Sequence, residues 1–291
     1  MDRSNATLPI RATDGLAMDE AAARAMGEEL SGEYCFAEPF PHIVIDNFLP
    51  AALAEKILGG FPSELGGEGK TYELGYAGLH KRQFYPGDCS AFNRELFAFF
   101  NSAPLLQFLE GLTAIQGLIS DPYFEGGGFH EISSGGKLGI HADFRVNERL
   151  HMQRRLNLLI YLNKNWQAEW GGELELWDRD MKAKVHGVSP IFNRCVVFST
   201  DATSYHGHPD PLACPSDVTR KSMALYYYTA SPRIYEDVPT DSTMYQARPT
   251  DDASVRAEAK RLRRYNLIKD LVPPALFRAL RGARNTIRGD K

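Results

Sequence analysis

Between residues 138 and 229 the chain reads as short apolar stretches separated by turns, a spacing that leaves few architectures open. The candidate strands are Leu138 to Phe144, Arg155 to Leu162, Glu173 to Trp177, Lys184 to Val188, Cys195 to Ser199 and Met223 to Thr229. Gly171-Gly172 and Pro190 to Asn193 supply turns. Several short strands at this spacing predict a sandwich or a double-sheet jelly roll. Helical patterns flank the series. Ala51 to Leu58 follows Pro50, which suits a first helical turn, and Phe92 to Phe100 and Pro104 to Leu112 carry apolar residues at helical spacing. The run His42-Ile43-Val44-Ile45-Asp46, within Ala37 to Leu49, reads as a further strand. The fold class is therefore mostly β with flanking helices.

His141-Ala142-Asp143 lies on one of these strands. Side chains alternate along an extended segment, so the imidazole and the carboxylate share a face. His206 follows the apolar run Val196-Val197-Phe198, and Arg220 opens the next strand. Two imidazoles and one carboxylate on one side of a metal leave the opposite positions open, as in non-heme Fe(II) oxygenases. His206 and His208 compete for the distal ligand position. We take His206, with His208 as a neighbour of the site or a surface residue.

These residues resemble the prolyl-hydroxylase-like 2-oxoglutarate and Fe(II)-dependent dioxygenases. The likeness runs from about Gly135 to Tyr228 and includes Leu138-Gly139-Ile140-His141-Ala142-Asp143, Tyr161-Leu162-Asn163-Lys164-Asn165-Trp166, Gly171-Gly172-Glu173-Leu174 and Phe198-Ser199-Thr200-Asp201 leading to His206. It implies a double-stranded β-helix core of the jelly-roll, cupin-like kind, with His141, Asp143 and His206 as metal ligands. The implied cofactors are Fe(II), 2-oxoglutarate and O2 as cosubstrates, and ascorbate as an accessory reductant. Arg220, in Thr219-Arg220-Lys221-Ser222, sits where the family grips the far carboxylate of 2-oxoglutarate. Its planar fork suits bidentate binding, which Lys221 cannot match. Fourteen residues separate His206 from Arg220, more than is usual for the family, and place a loop over Pro209 to Val218. Asn157, Leu159 and Tyr161 share one face of their strand. If that face looks inward, Tyr161 and Asn157 join Arg220 in contacting the cosubstrate. The implied reaction couples oxidative decarboxylation of 2-oxoglutarate to hydroxylation of an unactivated C–H bond. Halogenating relatives lack the carboxylate, so Asp143 favours hydroxylation.

Alternatives concern the substrate and the class. A prolyl or other protein side chain would need an open groove, whereas a small metabolite or a sugar or lipid precursor would need a closed pocket. A non-catalytic cupin-like module holding zinc is the reading from another class, although no glutamate in the H-x-D motif offers a general base. Phe61 to Asp88 is Gly-rich and aromatic, a loop or irregular hairpin. Tyr72, Tyr76, Phe84, Tyr85, Lys81 and Arg82 there form either a substrate lid or a packed hairpin. Gly135-Gly136-Lys137-Leu138 fails as a phosphate loop, since Glu131 and Leu138 occupy its required glycine and Ser/Thr positions.

Residues 1–36 form an extension of unassigned role, 37–232 the oxygenase domain, and 233–291 a basic helical extension. Val255 to Leu271 reads as a helix ended by Pro273-Pro274, and Leu276 to Leu280 begins another. Residues 255–291 hold 11 Lys or Arg against 3 Asp or Glu, a charge of +8, so the formal −4 of the chain leaves −12 for the rest. Such a tail suits an anionic surface, an acidic substrate or a solvated helix on an acidic body. Cys35, Cys89, Cys195 and Cys214 form no metal or dithiol motif. A polar N-terminus and the lack of a long apolar span lead us to expect a cytoplasmic protein with no transmembrane segment.

Overall fold

The computed structural model of the protein describes residues 4–230 and 242–271. The strands that build it are β1 (His42–Asp46), β2 (Leu79–Phe84), β3 (Gly128–Ala142), β4 (Met152–Tyr161), β5 (Leu174–Trp177), β6 (Lys184–Val188), β7 (Arg194–Ser199), β8 (His206–His208), β9 (Arg220–Ala230) and β10 (Met244–Tyr245). The helices are α1 (Glu20–Cys35), α2 (Ala51–Gly59), α3 (Ala91–Phe100), α4 (Ala103–Thr113) and α5 (Ala253–Leu271). The chain is mostly β, and its sheet curls into a jelly roll in the order β1-β7-β4-β9-β3-β8-β5-β6.

Strand β3 is the pivot. Its first half pairs antiparallel with β9, Phe129 opposite Met223 and Ile132 opposite Arg220. Its second half pairs with β8, Leu138 opposite His208 and His141 opposite His206. One 15-residue strand thus serves both sheets. The sequence suggests a strand from Leu138 to Phe144 only. It begins ten residues earlier and stops at Ala142, so Asp143 lies just beyond its end. Residues 128–137, with Ser133-Ser134 and Gly135-Gly136, carry turn composition; ladders to β2 and β9 hold them extended.

Strand β4 divides the core. Leu156, Leu158 and Ile160 are buried against the helices, with Leu53, Leu96, Phe108 and Leu109 in the same cluster. Asn157, Leu159 and Tyr161 point the other way, into the cavity between the sheets. The alternation expected from the sequence holds here because one face meets a helical layer and the other a pocket.

Residues 4–36 pack onto the body of the protein. Asp19 caps α1 by accepting from the Ala22 amide at 2.9 Å. Helix α1 then crosses α4 at two glycines. A Cβ on Gly27 would stand 2.2 Å from the Phe108 carbonyl oxygen, and one on Gly111 2.5 Å from that of Arg24. Backbone-to-backbone contact at this crossing requires glycine on both helices. Tyr34, on α1, reaches Ser199 of β7 at 2.6 Å. The segment therefore shares the main hydrophobic core.

The region from Phe61 to Asp88 contains a true hairpin, with Lys70–Tyr72 antiparallel to β2 and β2 antiparallel to β3. Strand β10 adds to the other end of β3, Tyr245 opposite His141. Helix α5 follows as the sequence suggests, beginning two residues before Val255. The helix expected at Leu276 to Leu280 lies outside the described residues, as does most of the basic tail. Among the described residues, no helix is long and apolar enough to cross a membrane.

Candidate metal centre and anion pocket

The cross-strand register of β3 and β8 sets His141 directly opposite His206, their ring centroids 4.5 Å apart. Each ring is fixed by a backbone carbonyl. His141 Nδ1 donates to Gly139 O at 2.8 Å and His206 Nδ1 donates to Ser204 O at 2.9 Å. Both Nε2 atoms consequently keep a lone pair facing inward. Asp143 completes the group, with Oδ1 3.8 Å from His141 Nε2 and Oδ2 3.5 Å from His206 Nε2. One donor atom from each of the three lies within 4.8 Å of the others. His208 is not part of that group.

Electrostatics favour the metal-binding protonation states. Burial pushes the His141 imidazolium down to about 4, reinforced by His206. His206 is lowered as well, first by burial. Burial alone would raise the Asp143 carboxyl, but Arg154 and the two imidazoles outweigh it and hold it well below the usual carboxylate range. Near neutral pH the set is two neutral imidazoles and a carboxylate.

Arg154 was not visible as a site residue. Its guanidinium is 3.0 Å from Asp143 Oδ2 and donates to Asn157 Oδ1 at 3.0 Å and 2.6 Å. Asn157 Nδ2 in turn donates to Asp143 Oδ2 at 2.7 Å. The ring of Tyr226 lies against the guanidinium, centroid to Cζ 3.5 Å. Strict alternation from Asn157 puts residue 154 on the opposite face. The β4–β9 ladder slips between Tyr227 and Tyr228, opposite Leu156 and Arg154, and the extra residue turns Arg154 inward. Asn157, expected to touch the cosubstrate, lines the cavity with its amide bonded to Asp143 and Arg154.

Arg220 and Tyr161 stand elsewhere on the wall of the same cavity of about 190 Å³. Arg220 Nε donates to Gly172 O at 2.8 Å and Nη2 to the Tyr161 hydroxyl at 3.3 Å. That hydroxyl accepts from Arg220 and keeps its own proton to donate. Gly172, at φ +71°, is needed here: a Cβ would fall 2.5 Å from Leu212 Cδ2 and 3.2 Å from Arg220 Cδ. Leu212 belongs to the long Pro209 to Val218 loop, which hydrogen-bonds to Gly135 and Gly136 and so packs against the site without displacing Arg220.

The suspected lid divides into separate parts. Tyr72 and Lys81 line the cavity, whereas Phe84 is buried in the core. Tyr76 donates its hydroxyl to Gln246 O at 2.9 Å, bracing the hairpin against the segment that carries β10. Tyr245 lies against His141, ring centroids 5.5 Å apart. His208 is buried and lines the cavity, and neither of its ring nitrogens has a hydrogen-bond partner. Buried polar atoms facing a cavity without partners fit a pocket that receives a polar ligand. The donor set and the unpartnered nitrogens thus suit a divalent metal with an anionic companion.

Residues 127–228 match the sequence profile of the 2OG-Fe(II) oxygenase superfamily. The match covers about a third of the chain. His141, Asp143, Arg154, Asn157, Tyr161, His206, His208 and Arg220 fall within this matched segment, whereas the hairpin residues Tyr72, Tyr76 and Lys81, and Tyr245 with Gln246, lie outside it. Prolyl hydroxylase EGLN3 of Mus musculus is 36% identical over 81 residues, which cover 28% of this chain and 31% of the relative. The Homo sapiens protein is 35% identical over the same length and shares. The chain thus matches about a third of the length of these curated relatives. Among solved structures, a Pseudomonas putida prolyl-4-hydroxylase is similar at 18% identity and TM-score 0.47, covering 70% of this chain and all of that one. A Trichoplax adhaerens prolyl hydroxylase, solved with a hypoxia inducible factor peptide fragment, is similar at 18% identity and TM-score 0.48, covering 72% and 91%.

Proposed function

We propose that the protein is an Fe(II)- and 2-oxoglutarate-dependent hydroxylase, with His141, Asp143 and His206 holding the metal. The observation that carries this reading is the convergence of the three donors opposite a buried, carboxylate-free arginine within one cavity. Bound Fe(II) supplies the redox chemistry that couples decarboxylation of 2-oxoglutarate to succinate and CO2 with transfer of one oxygen atom of O2 into a C–H bond. The chain's own residues do the positioning. Gly139 and Ser204 carbonyls fix the imidazoles, while Arg154 and Asn157 hold Asp143 ionised and oriented. Arg220 offers its guanidinium, and Tyr161 its hydroxyl proton, to the distal carboxylate of 2-oxoglutarate. Leu159, Leu174 and Ile132 line the same cavity with apolar surface, which offers water no partner there.

A prolyl or other protein side chain is the substrate class that the prolyl hydroxylase relatives support. A small metabolite is the second reading, favoured by the way Thr243 and Tyr245 join Tyr72 in walling the cavity. The four free cysteines support a reducing compartment such as the cytoplasm. Contact of the basic tail with an anionic surface belongs to this proposal as well. Anaerobic titration of the Fe(II)-loaded protein with 2-oxoglutarate tests the core of it. A visible charge-transfer band in the wild type that weakens in Arg220→Ala is expected. Bound metal with no band would turn the assignment toward a non-catalytic cupin-like module.

A further inference from the structure

Strands β2, β3 and β9 run side by side, and their two faces treat charge in opposite ways. On the outward face Glu131 sits between Arg82 and Lys221, its register neighbours. Both bases pair with it: Arg82 Nε donates to Glu131 Oε2 at 2.9 Å and Lys221 Nζ lies 3.2 Å from Oε1. One residue along, the inward face carries the row Lys81, Ile132, Arg220. Two cations again flank a central position, but that position is an isoleucine.

Lys81 and Arg220 both line the cavity. Arg220 contacts only neutral oxygens, those of Gly172 and Tyr161, among its hydrogen bonds. The Lys81 ammonium lies 5.0 Å from the Tyr72 ring and has no hydrogen bond or ion pair to a side chain among the described residues. Asp143, the carboxylate on this cavity wall, is already bound by Arg154 and Asn157. Two cations in a cavity without a free carboxylate carry a desolvation cost that a bound anion offsets. Burial, opposed by Asp143 and aided by Arg220, pushes the Lys81 ammonium down to about 8, as suits a cation awaiting its counter-charge.

We propose that Lys81 and Arg220 together clamp the distal carboxylate of 2-oxoglutarate, bridging over Ile132 from strands on either side of β3. This rests on the oxygenase reading above. Adjacent strands lie about 4.8 Å apart, so the two backbones stand roughly 10 Å from each other. Long side chains leaning inward from both sides meet across that gap. The hairpin that carries Lys81 thereby becomes part of the cosubstrate site, and filling the site ties the hairpin to β9.

The test is calorimetric binding to the Mn(II)-loaded full-length protein, comparing 2-oxoglutarate with 2-oxobutyrate, which has the same 2-oxo acid end and no distal carboxylate. The wild type is expected to prefer 2-oxoglutarate strongly. Lys81→Met is expected to weaken 2-oxoglutarate roughly ten- to a hundredfold, the range of a lost charge-assisted hydrogen bond, and to leave 2-oxobutyrate within twofold. Lys81→Arg is expected to retain most of the preference, which separates lost charge from misfolding. If the wild type prefers 2-oxoglutarate and Lys81→Met still binds it within twofold, Lys81 does not hold the cosubstrate and the clamp is wrong. If the wild type binds neither acid, the oxygenase reading itself fails.

Discussion

Replacing Arg154 by methionine isolates the charge that holds Asp143. The guanidinium side chain is 1% exposed and the Asp143 side chain 11%, so the pair is effectively dry. Methionine keeps an unbranched apolar stem against Tyr226 and Phe144 and removes the cation. Asp143 then retains the Asn157 amide at 2.7 Å as its hydrogen-bond donor, while Asn157 loses both bonds to its own oxygen. Breaking a buried pair by removing one partner costs about 3–5 kcal/mol. At about 2 °C per kcal/mol for a chain of this size, the metal-free melting temperature should fall by roughly 6–10 °C. A divalent ion bound by His141, Asp143 and His206 returns positive charge to the carboxylate. Saturating Mn(II) should therefore raise the melting temperature of the variant by several degrees more than it raises that of the wild type. Calorimetric scans with and without Mn(II) measure both effects. A metal-free variant that melts within 2 °C of the wild type would refute the electrostatic argument. So would a large loss with no extra recovery on adding metal, since the loss would then come from packing.

Three further substitutions probe other parts of the site. Gly172→Ala forces a Cβ against Leu212 and Arg220 at positive φ, so 2-oxoglutarate affinity should fall by about tenfold or more while Mn(II) affinity stays within twofold; equal loss of both would mean a general collapse. Asp143→Gly removes the carboxylate ligand, and product formation should drop at least a hundredfold; hydroxylation at the wild-type rate would rule out Asp143 as a ligand. Glu131 reports on pH. Burial would raise its carboxyl, but Thr219, Arg82 and Lys221 hold it below its ordinary value. A depressed carboxylate stabilises the fold above its unfolded pKa and loses that contribution as pH falls. Glu131→Gln should therefore melt lower than the wild type at pH 7 and show a flatter decline between about pH 5 and pH 3, and parallel pH–melting curves would refute the linkage.

What the sequence reveals about this site depends on whether a residue's position follows from local pattern or from register. The H-x-D pair, the inward face of Asn157, Leu159 and Tyr161, and Arg220 at the head of a strand all follow local rules, and the fold brings them to one cavity. Arg154 defies the same rule. Counting by twos from Asn157 sends it to the wrong face, because nothing in Met152 to Tyr161 marks the slip that falls opposite Tyr227 and Tyr228. Strand β8 is three residues long, too short for any period to register, yet it places His206 opposite His141. The glycine crossing of α1 with α4 is equally silent, since Gly27 reads only as a poor helix residue until Gly111 is found facing it.

Lys81 is the instructive case. By composition it belongs to an aromatic, Gly-rich stretch, and a mobile lid is a natural reading. Its neighbours on the outward face, Arg82, Glu131 and Lys221, form an acid between two bases, a pairing that could be guessed from charge alone once the strands are aligned. The inward row of Lys81, Ile132 and Arg220 becomes visible only through that alignment, and its meaning comes from the acid it lacks. A surface with two bases and no acid would be unremarked, because water screens it. Inside a cavity the same arrangement is costly unless a ligand completes it. The absence of a counter-charge at Ile132 therefore carries more functional information than the presence of either cation, and in the proposed clamp it ties the recognition of 2-oxoglutarate to a hairpin outside residues 127–228.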